Sequence, residues 1–202
     1  MALHVTRRKG YPSLMAADTT IDVIPTERLL LRHWRRRDRK PFAALNADPA
    51  VMEHFPSTLS REQSDAMVDR LEELFKVQGF GLWALEVKET GEFIGFAGLN
   101  RVPFQAHFTP AVEIGWRLAR SAWGHGYASE AARAAVAYGF EVAGLDEIVS
   151  FTATTNVRSQ AVMRRLGMTY DPADDFEYTP LPVGHPFRPS VLYRITREQW
   201  HR

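Results

Sequence analysis

Apolar residues recur along this chain in two periods, and the switches between them divide it into elements. Residues 24–33 carry Leu29, Leu30 and Leu31 in succession and predict a first strand. Residues 38–46 predict a short helix, with Asp38 as N-cap and Phe42 and Leu45 turned inward. A stronger helix is predicted over 60–76. Ser60 and Gln63 have capping-box spacing, and Met67, Leu71, Leu74 and Phe75 follow at helical intervals. Gly79 and Gly81 close that region. Two apolar runs, Leu82–Val87 and 93–99, flank Lys88-Glu89-Thr90-Gly91-Glu92 and read as a hairpin. Val112–Leu118 is a further strand. Helical spacing returns over 129–142, where Ala132, Val136 and Phe140 share a side and Gly144 supplies a stop. Residues 148–154 predict a strand, 157–166 a helix closed by Gly167, and 191–196 a last strand. Residues 176–189 hold four prolines and read as a long loop.

The order is strand, two helices, three strands, helix, strand, helix, strand. Strands that follow one another without a helix pair antiparallel, and the late strand–helix–strand unit implies a parallel pair. The expected architecture is α+β: a three-layer α/β arrangement with a mixed, mostly antiparallel sheet of about seven strands and helices on both faces. Residues 1–22 are expected to be a flexible tail and 23–202 a single domain.

Length and composition narrow the class. The chain has 202 residues, 45% apolar and 24% charged, which suits one domain with a full core. A net charge of +1 gives no reason to expect nucleic acid or an anionic membrane as partner. The absence of cysteine removes disulfides, cysteine nucleophiles and thiolate metal sites, and suits a cytoplasmic protein. Residues 1–10 are polar and basic, and no stretch approaches the ~20 apolar residues of a membrane helix, so neither signal peptide nor span is expected. The histidines show no H-E-x-x-H spacing, and no metal is expected.

The most informative stretch joins a strand to a helix through Trp123-Gly124-His125-Gly126-Tyr127-Ala128. Two glycines let the backbone curl and let a ligand approach with no Cβ in the way. The free N–H groups of the first helical turn then converge on one spot, where the helix dipole favours negative charge. A diphosphate suits such a turn. The dinucleotide fingerprint fits worse, because Ser129 stands where a third small residue belongs, and the G-K-[ST] of a P-loop is absent. A plain tight turn remains the alternative.

This segment resembles the acetyl-CoA signature of the GNAT superfamily, [Q/R]-x-x-G-x-[G/A], with Trp123 replacing the Gln or Arg. Followed by Ser129-Glu130-Ala131, it is similar to the ribosomal-protein N-terminal acetyltransferase branch. Thr26-Glu27-Arg28-Leu29, Val112-Glu113-Ile114-Gly115-Trp116, and Asn156-Val157-Arg158-Ser159 with Gly167-Met168 extend the resemblance over about residues 24–196. It implies acetyl-CoA as cosubstrate, a fourth and fifth strand that splay apart, and a pantetheine arm in the gap. The backbone of Trp116, Arg117 and Leu118 would hold that arm. The N–H groups from Gly124 through His125, Gly126, Tyr127 and Ala128 to Ser129 would hold the diphosphate. Asn156 would grip the arm and Ser159 would lie near the sulfur, helix capping being the plain alternative for both. The resemblance alone also raises a homodimer.

Acetyl transfer needs a neutral amine near the thioester, a donor for the developing oxyanion, and a proton for the leaving thiolate. A lysine, pKa ~10.4, needs a base, and an α-amine, pKa ~7.7–8.0, needs less help. Glu113 is the candidate base. It interrupts Val112, Ile114 and Trp116 and alternates to the opposite face, where burial would raise its pKa. A structural pairing with an arginine is the alternative. Ser159 is the candidate proton donor to the thiolate, since Met163 stands where similar enzymes carry a tyrosine. A backbone N–H of the fourth strand is the expected oxyanion donor.

In similar enzymes the stretch at His54 and Phe55 and the loop from Phe104 to 109 shape the acceptor pocket, so the resemblance makes them, joined by Trp83, the candidate acceptor-pocket residues, with ordinary packing as the alternative. His185 reads as a surface-loop residue. Residues 32–40 carry six Arg or Lys and read as a solvated face. The acceptor amine is left open between a protein N-terminus, a small-molecule amine or amino acid, and a polyamine. An acyl-CoA-binding module without turnover, and an enzyme using another short acyl chain, stand as the other readings.

Overall fold

A computed structural model describes residues 23–202, and the expected tail lies outside the described residues. The chain runs β1 (Val23–Pro25), β2 (Leu29–Arg32), α1 (Arg39–Ala47), α2 (Arg61–Gln78), β3 (Leu82–Val87), β4 (Phe93–Arg101) and β5 (Val112–Leu118). It continues through α3 (Tyr127–Glu141), β6 (Glu147–Ala153), α4 (Val157–Arg165), β7 (Thr169–Tyr170), β8 (Phe176–Glu177), β9 (Pro189–Thr196) and α5 (Arg197–Trp200). The sheet has the order β1-β2-β3-β4-β5-β6-β9-β7, with β8 also paired to β9. Every pairing is antiparallel except β5–β6, so the sheet is mixed, as its pattern predicts.

The sheet has nine strands among the described residues rather than about seven. The predicted first strand is two, because residues 26–28 turn between β1 and β2. β7 and β8 are two residues each, too short to show a period. β8 lies inside the stretch expected to be all loop. Asp38 precedes α1 but its side chain does not cap it. Instead its carboxylate takes two bonds from Arg32, at 2.7 and 2.8 Å, and the Arg35 N–H at 2.7 Å. Arg32 also donates to Glu86 at 2.7 Å, and Arg35 and Arg37 close on the same carboxylate. Arg32 is thus buried against two acids, while Arg35, Arg36, Arg37 and Lys40 stay exposed as the solvated face expected of the run, two of them reaching in to Glu86.

α1 and α2 cover one face of the sheet, setting Phe42, Leu45, Val68 and Leu71 against Trp34, Ala84, Phe93 and Phe96. α3 and α4 cover the other through Ala131, Ala135, Val136 and Met163, against Leu85, Leu99 and Ile114. Each fully buried Leu, Ile or Phe contributes about 1.5–3 kcal/mol by leaving water. α3 lies close to the sheet because its inward side is small. A Cβ on Gly139 would stand 2.7 Å from the Ile148 side chain. That close seating fixes where the start of α3 points. Beyond β5, none of α1–α5 covers the α1–α2 face over β6 and β9 among the described residues. Residues 102–111 and 176–189 roof it with Phe104, Phe108 and Phe176 over Val149, Phe151 and Leu192. No helix among the described residues is long and apolar enough to cross a membrane.

Candidate active site

The sheet opens at its one parallel seam. β4 pairs β5, and β6 pairs β9, through seven residues each, whereas β5 and β6 share only Glu113↔Val149. These are the fourth and fifth strands of the sequence expectation, renumbered because the first is split. The Ser150 hydroxyl donates to the Ile114 carbonyl at 3.0 Å and pins the last point of contact. Since the Ile114 carbonyl faces β6, alternation turns the N–H and carbonyl of Trp116 the same way, into a space where β6 has left the ladder. Leu118 faces it too, but its carbonyl accepts the Trp123 indole N–H at 3.0 Å.

The turn before α3 stands at the end of this gap. Gly124 and Gly126 have φ of 79° and 78°, the left-handed region that costs a residue bearing Cβ. The Trp123 N–H is used internally, on the Arg120 carbonyl. Among the described residues, none of the backbone N–H groups from Gly124 to Ser129 has an acceptor. Six consecutive donors are thus open at the positive end of a 15-residue helix. Trp123 contributes through its ring, which ties the turn to β5 and lies under the Arg158 guanidinium, 4.8 Å away.

A second set of contacts holds the turn from the far side of the sheet. Glu130 accepts the Thr26 hydroxyl at 2.6 Å, the Arg28 N–H at 2.8 Å and the Arg28 Nε at 2.7 Å. Burial raises the Glu130 pKa, but these donors outweigh it and hold the carboxyl below its usual range. Arg28 in turn donates to the His125 carbonyl at 2.9 Å and lies 4.8 Å over the Tyr127 ring, on which His125 stacks. Sequence reasoning placed Thr26–Leu29 and Ser129–Ala131 in the resemblance without joining them. Their complementary charges were the available signal.

Glu113 stands on the α1–α2 face at the mouth of the gap. Asn100, opposite it on β4, donates to its carboxylate at 3.3 Å, and no arginine pairs with it among the described residues. Burial pushes its pKa up to about 7, against a weaker downward pull from Asn100. Phe104, Phe151 and Tyr178 form a half-buried aromatic wall nearby, with Phe104–Phe151 ring centroids 5.6 Å apart and Phe104–Tyr178 5.0 Å. Burial, then the charge of Glu113, raises the Tyr178 pKa. Tyr178 was not singled out from sequence, because it lies in the proline-rich loop that reads as unstructured.

The other candidates fall in several places. Asn156 caps α4, its Oδ1 taking the Ser159 N–H at 3.2 Å while its Nδ2 donates to Thr152 at 2.9 Å. The Ser159 hydroxyl is half-buried and has no partner among the described residues. Met163 is 1% exposed in the α4 core, so that position offers no acid. His54 meets Thr155 at 3.4 Å and packs on Phe187, closing the α1–α2 connection onto the loop after β6. Phe55 covers Arg117, 4.0 Å from its guanidinium. Trp83 is 1% exposed on the α3 side, wedged between Phe75 and Tyr138, on the face opposite Glu113. No group of His, Asp or Glu among the described residues could hold a metal ion.

Comparisons with known proteins agree with this geometry. Residues 28–169 match a family model described as an acetyltransferase (GNAT) domain. The uncharacterized protein YkkB of Bacillus subtilis is 36% identical over 146 residues, 72% of this chain and 84% of that one. The FsC-acetyl coenzyme A-N(2)-transacetylase of Aspergillus fumigatus is 39% identical over 130 residues, 62% of this chain. The match spans 54% of the Aspergillus protein, about half its length. An acetyltransferase structure from Agrobacterium tumefaciens is similar with a TM-score of 0.72 at 29% identity, covering 95% of this chain and all of that one.

Proposed function

The chain belongs to the GNAT acetyltransferase family, and on that premise we propose that it moves an acetyl group from acetyl-CoA directly onto a primary amine held above Glu113. One observation carries the reading: six open backbone donors stand at the end of a gap between strands that share a single ladder step. Such donors suit a diphosphate, and an edge with free N–H and carbonyl at Trp116 suits an extended amide-bearing arm.

Acetyl-CoA supplies an activated acyl carbon and a thiolate that leaves readily. The chain's residues do the rest. The amides from Gly124 to Ser129 bind the diphosphate, and the Trp116 backbone orients the arm. Glu113, poised near neutrality, removes a proton from the incoming ammonium, directly or through water. Ser159, whose hydroxyl is uncommitted, supplies a proton to the departing sulfur. Asn156 sets the start of α4 that carries Ser159. The loops at 102–111 and 176–189 exclude water from the acceptor side.

Free-thiol release from acetyl-CoA with a panel of amines tests the assignment. At pH 8, Glu113→Gln is expected to lower kcat by about 100-fold while leaving the acetyl-CoA-induced rise in melting temperature intact. An unchanged kcat would remove Glu113 from the mechanism. Gly126→Val is expected to abolish the melting shift, because a β-branched residue is strained at φ 78° and intrudes among the donors. A retained shift would refute the diphosphate cradle.

A further inference from the structure

The acceptor side of β5 carries a cation with no counter-ion among the described residues. Arg117 follows Glu113 by four residues on the same face, about 13 Å along the strand. Its Nη1 donates to the neutral Asn46 side chain at 2.7 Å, and its guanidinium lies against Phe55 and Phe96. Its Nε is buried with no partner, and no carboxylate pairs with Arg117 among the described residues. Other enclosed arginines here are matched: Arg32 with Asp38 and Glu86, and Arg194 with Asp174 and Glu147. Burial lowers the Arg117 pKa to about 10, the mark of a cation short of negative charge. A desolvated guanidinium left with one neutral acceptor is costly unless a ligand completes it.

Between the two charges lies Gly115, which is not a packing glycine. At its β4 partner Gly98, a Cβ would stand 2.1 Å from the Gly81 carbonyl oxygen. At Gly115 it would meet nothing within 4 Å. The floor between Glu113 and Arg117 is therefore open, and it abuts the strand gap where the reacting carbonyl carbon would stand.

Building on the acetyl-transfer reading, we infer that the acceptor is a carboxylate-bearing primary amine, an amino acid, whose carboxylate binds Arg117 while its amine lies over Gly115 beside Glu113. An amino acid's two charged groups cover only part of the ~13 Å between the two strand positions, and the reach of the Arg117 and Glu113 side chains with a bridging water covers the remainder. The aromatic wall of Phe104, Phe151 and Tyr178 suits an apolar or aromatic side chain. A polyamine is disfavoured, since its second ammonium would be repelled by the Arg117 guanidinium. In the transfer the amine nitrogen forms the C–N bond, the C–S bond breaks, and the products are an N-acetyl amino acid and the free thiol. One ammonium proton passes to Glu113 and on to solvent, and a second is matched by the proton that the sulfur gains.

The experiment compares amino acids with their decarboxylated counterparts, phenylalanine with phenethylamine and methionine with 3-methylthiopropylamine, by thiol release. The acids are expected to be preferred in kcat/KM. Arg117→Gln is expected to narrow that preference by about 10- to 100-fold, and Arg117→Lys to restore part of it. A purely structural Arg117 would weaken both partners of a pair alike. Gly115→Val, which adds a strand-favouring side chain into open space, serves if the arginine variants do not fold. It is expected to raise KM for the amino acid at least ~10-fold by filling the floor, with the acetyl-CoA melting shift kept. Equal use of acid and bare amine, or no turnover of any amino acid, overturns the inference. In either case reaction of the bare amines leaves the acetyltransferase reading standing, and silence from both sets removes it as well.

Discussion

Under the proposed mechanism, Glu113 serves the reaction at the expense of the fold. Folding moves its carboxyl from water to a floor where, among the described residues, Asn100 alone offers it a bond. Because burial raises its pKa to about 7, its charged form is the disfavoured one in the folded chain. The unfolded chain releases this proton near pH 4, and the folded chain keeps it until about 7. Over that interval the folded state binds more protons, so stability falls as pH rises and stays lower above it. Glu113→Gln is accordingly expected to raise the melting free energy by on the order of 1–3 kcal/mol at pH 8 and by much less at pH 4. Urea unfolding at the two pH values checks this, and an equal effect at both would show that the carboxylate is not desolvated. The same titration predicts that kcat/KM rises with pH through about 7 and that this limb disappears in the glutamine variant.

At the scale of elements, the start of α3 is held by a carboxylate that reaches the Gly124–Gly126 turn through Arg28. Glu130 binds Thr26 and Arg28, and Arg28 fixes the His125 carbonyl, so the turn is clamped in the shape that leaves its amides free. Glu130→Gln keeps the size but loses the charge that holds the guanidinium. It is expected to weaken acetyl-CoA binding by about 5- to 20-fold while altering the acceptor KM little. Calorimetric titration separates this from general destabilisation, which would move both constants. What the sequence shows at this scale depends on period and on local residue pairs. α2, the β3–β4 hairpin and the Gly124–Gly126 turn were legible because each announces itself within a few residues. Glu113 was legible because it breaks an apolar run. The division of the first strand, β7 and β8 were not, since two or three residues hold no period and their pairing with distant strands decides them. Trp83 pointed the wrong way for the same reason: alternation within β3 does not say which face meets α3. Arg117 read as a backbone contact, because the lack of a counter-ion becomes visible only once every carboxylate has a place.

For the whole molecule, the single-step seam divides the sheet into a β1–β5 half and a β6–β9 half. Across it run one ladder position, the Ser150–Ile114 bond, the packing of α3 and α4 on both halves, the aromatic roof of residues 102–111, and side-chain contacts such as His54–Thr155. An extended ligand seated in the gap would act as the missing strand, so binding and cohesion of the two halves are one equilibrium. Ser150 is 2% exposed, and Ser150→Ala leaves the Ile114 carbonyl without its donor at the apex of the opening, at a cost of about 1–2 kcal/mol. Because a ligand that binds only the folded state adds RT ln(1 + [L]/Kd), acetyl-CoA at 100 times Kd contributes about 2.7 kcal/mol, or roughly 5–10 °C for a chain of this size. Acetyl-CoA is therefore expected to restore the Ser150→Ala variant to near the melting temperature of the unliganded parent. A pantetheine thioester lacking the diphosphate is expected to restore little, since the six amides give it nothing to hold. Hydrogen exchange locates the effect: full acetyl-CoA should protect the amides of Trp116 and of residues 124–129 together, because they belong to one slot. Protection of the turn with no change at Trp116 would mean that the gap between β5 and β6 is not where the arm lies.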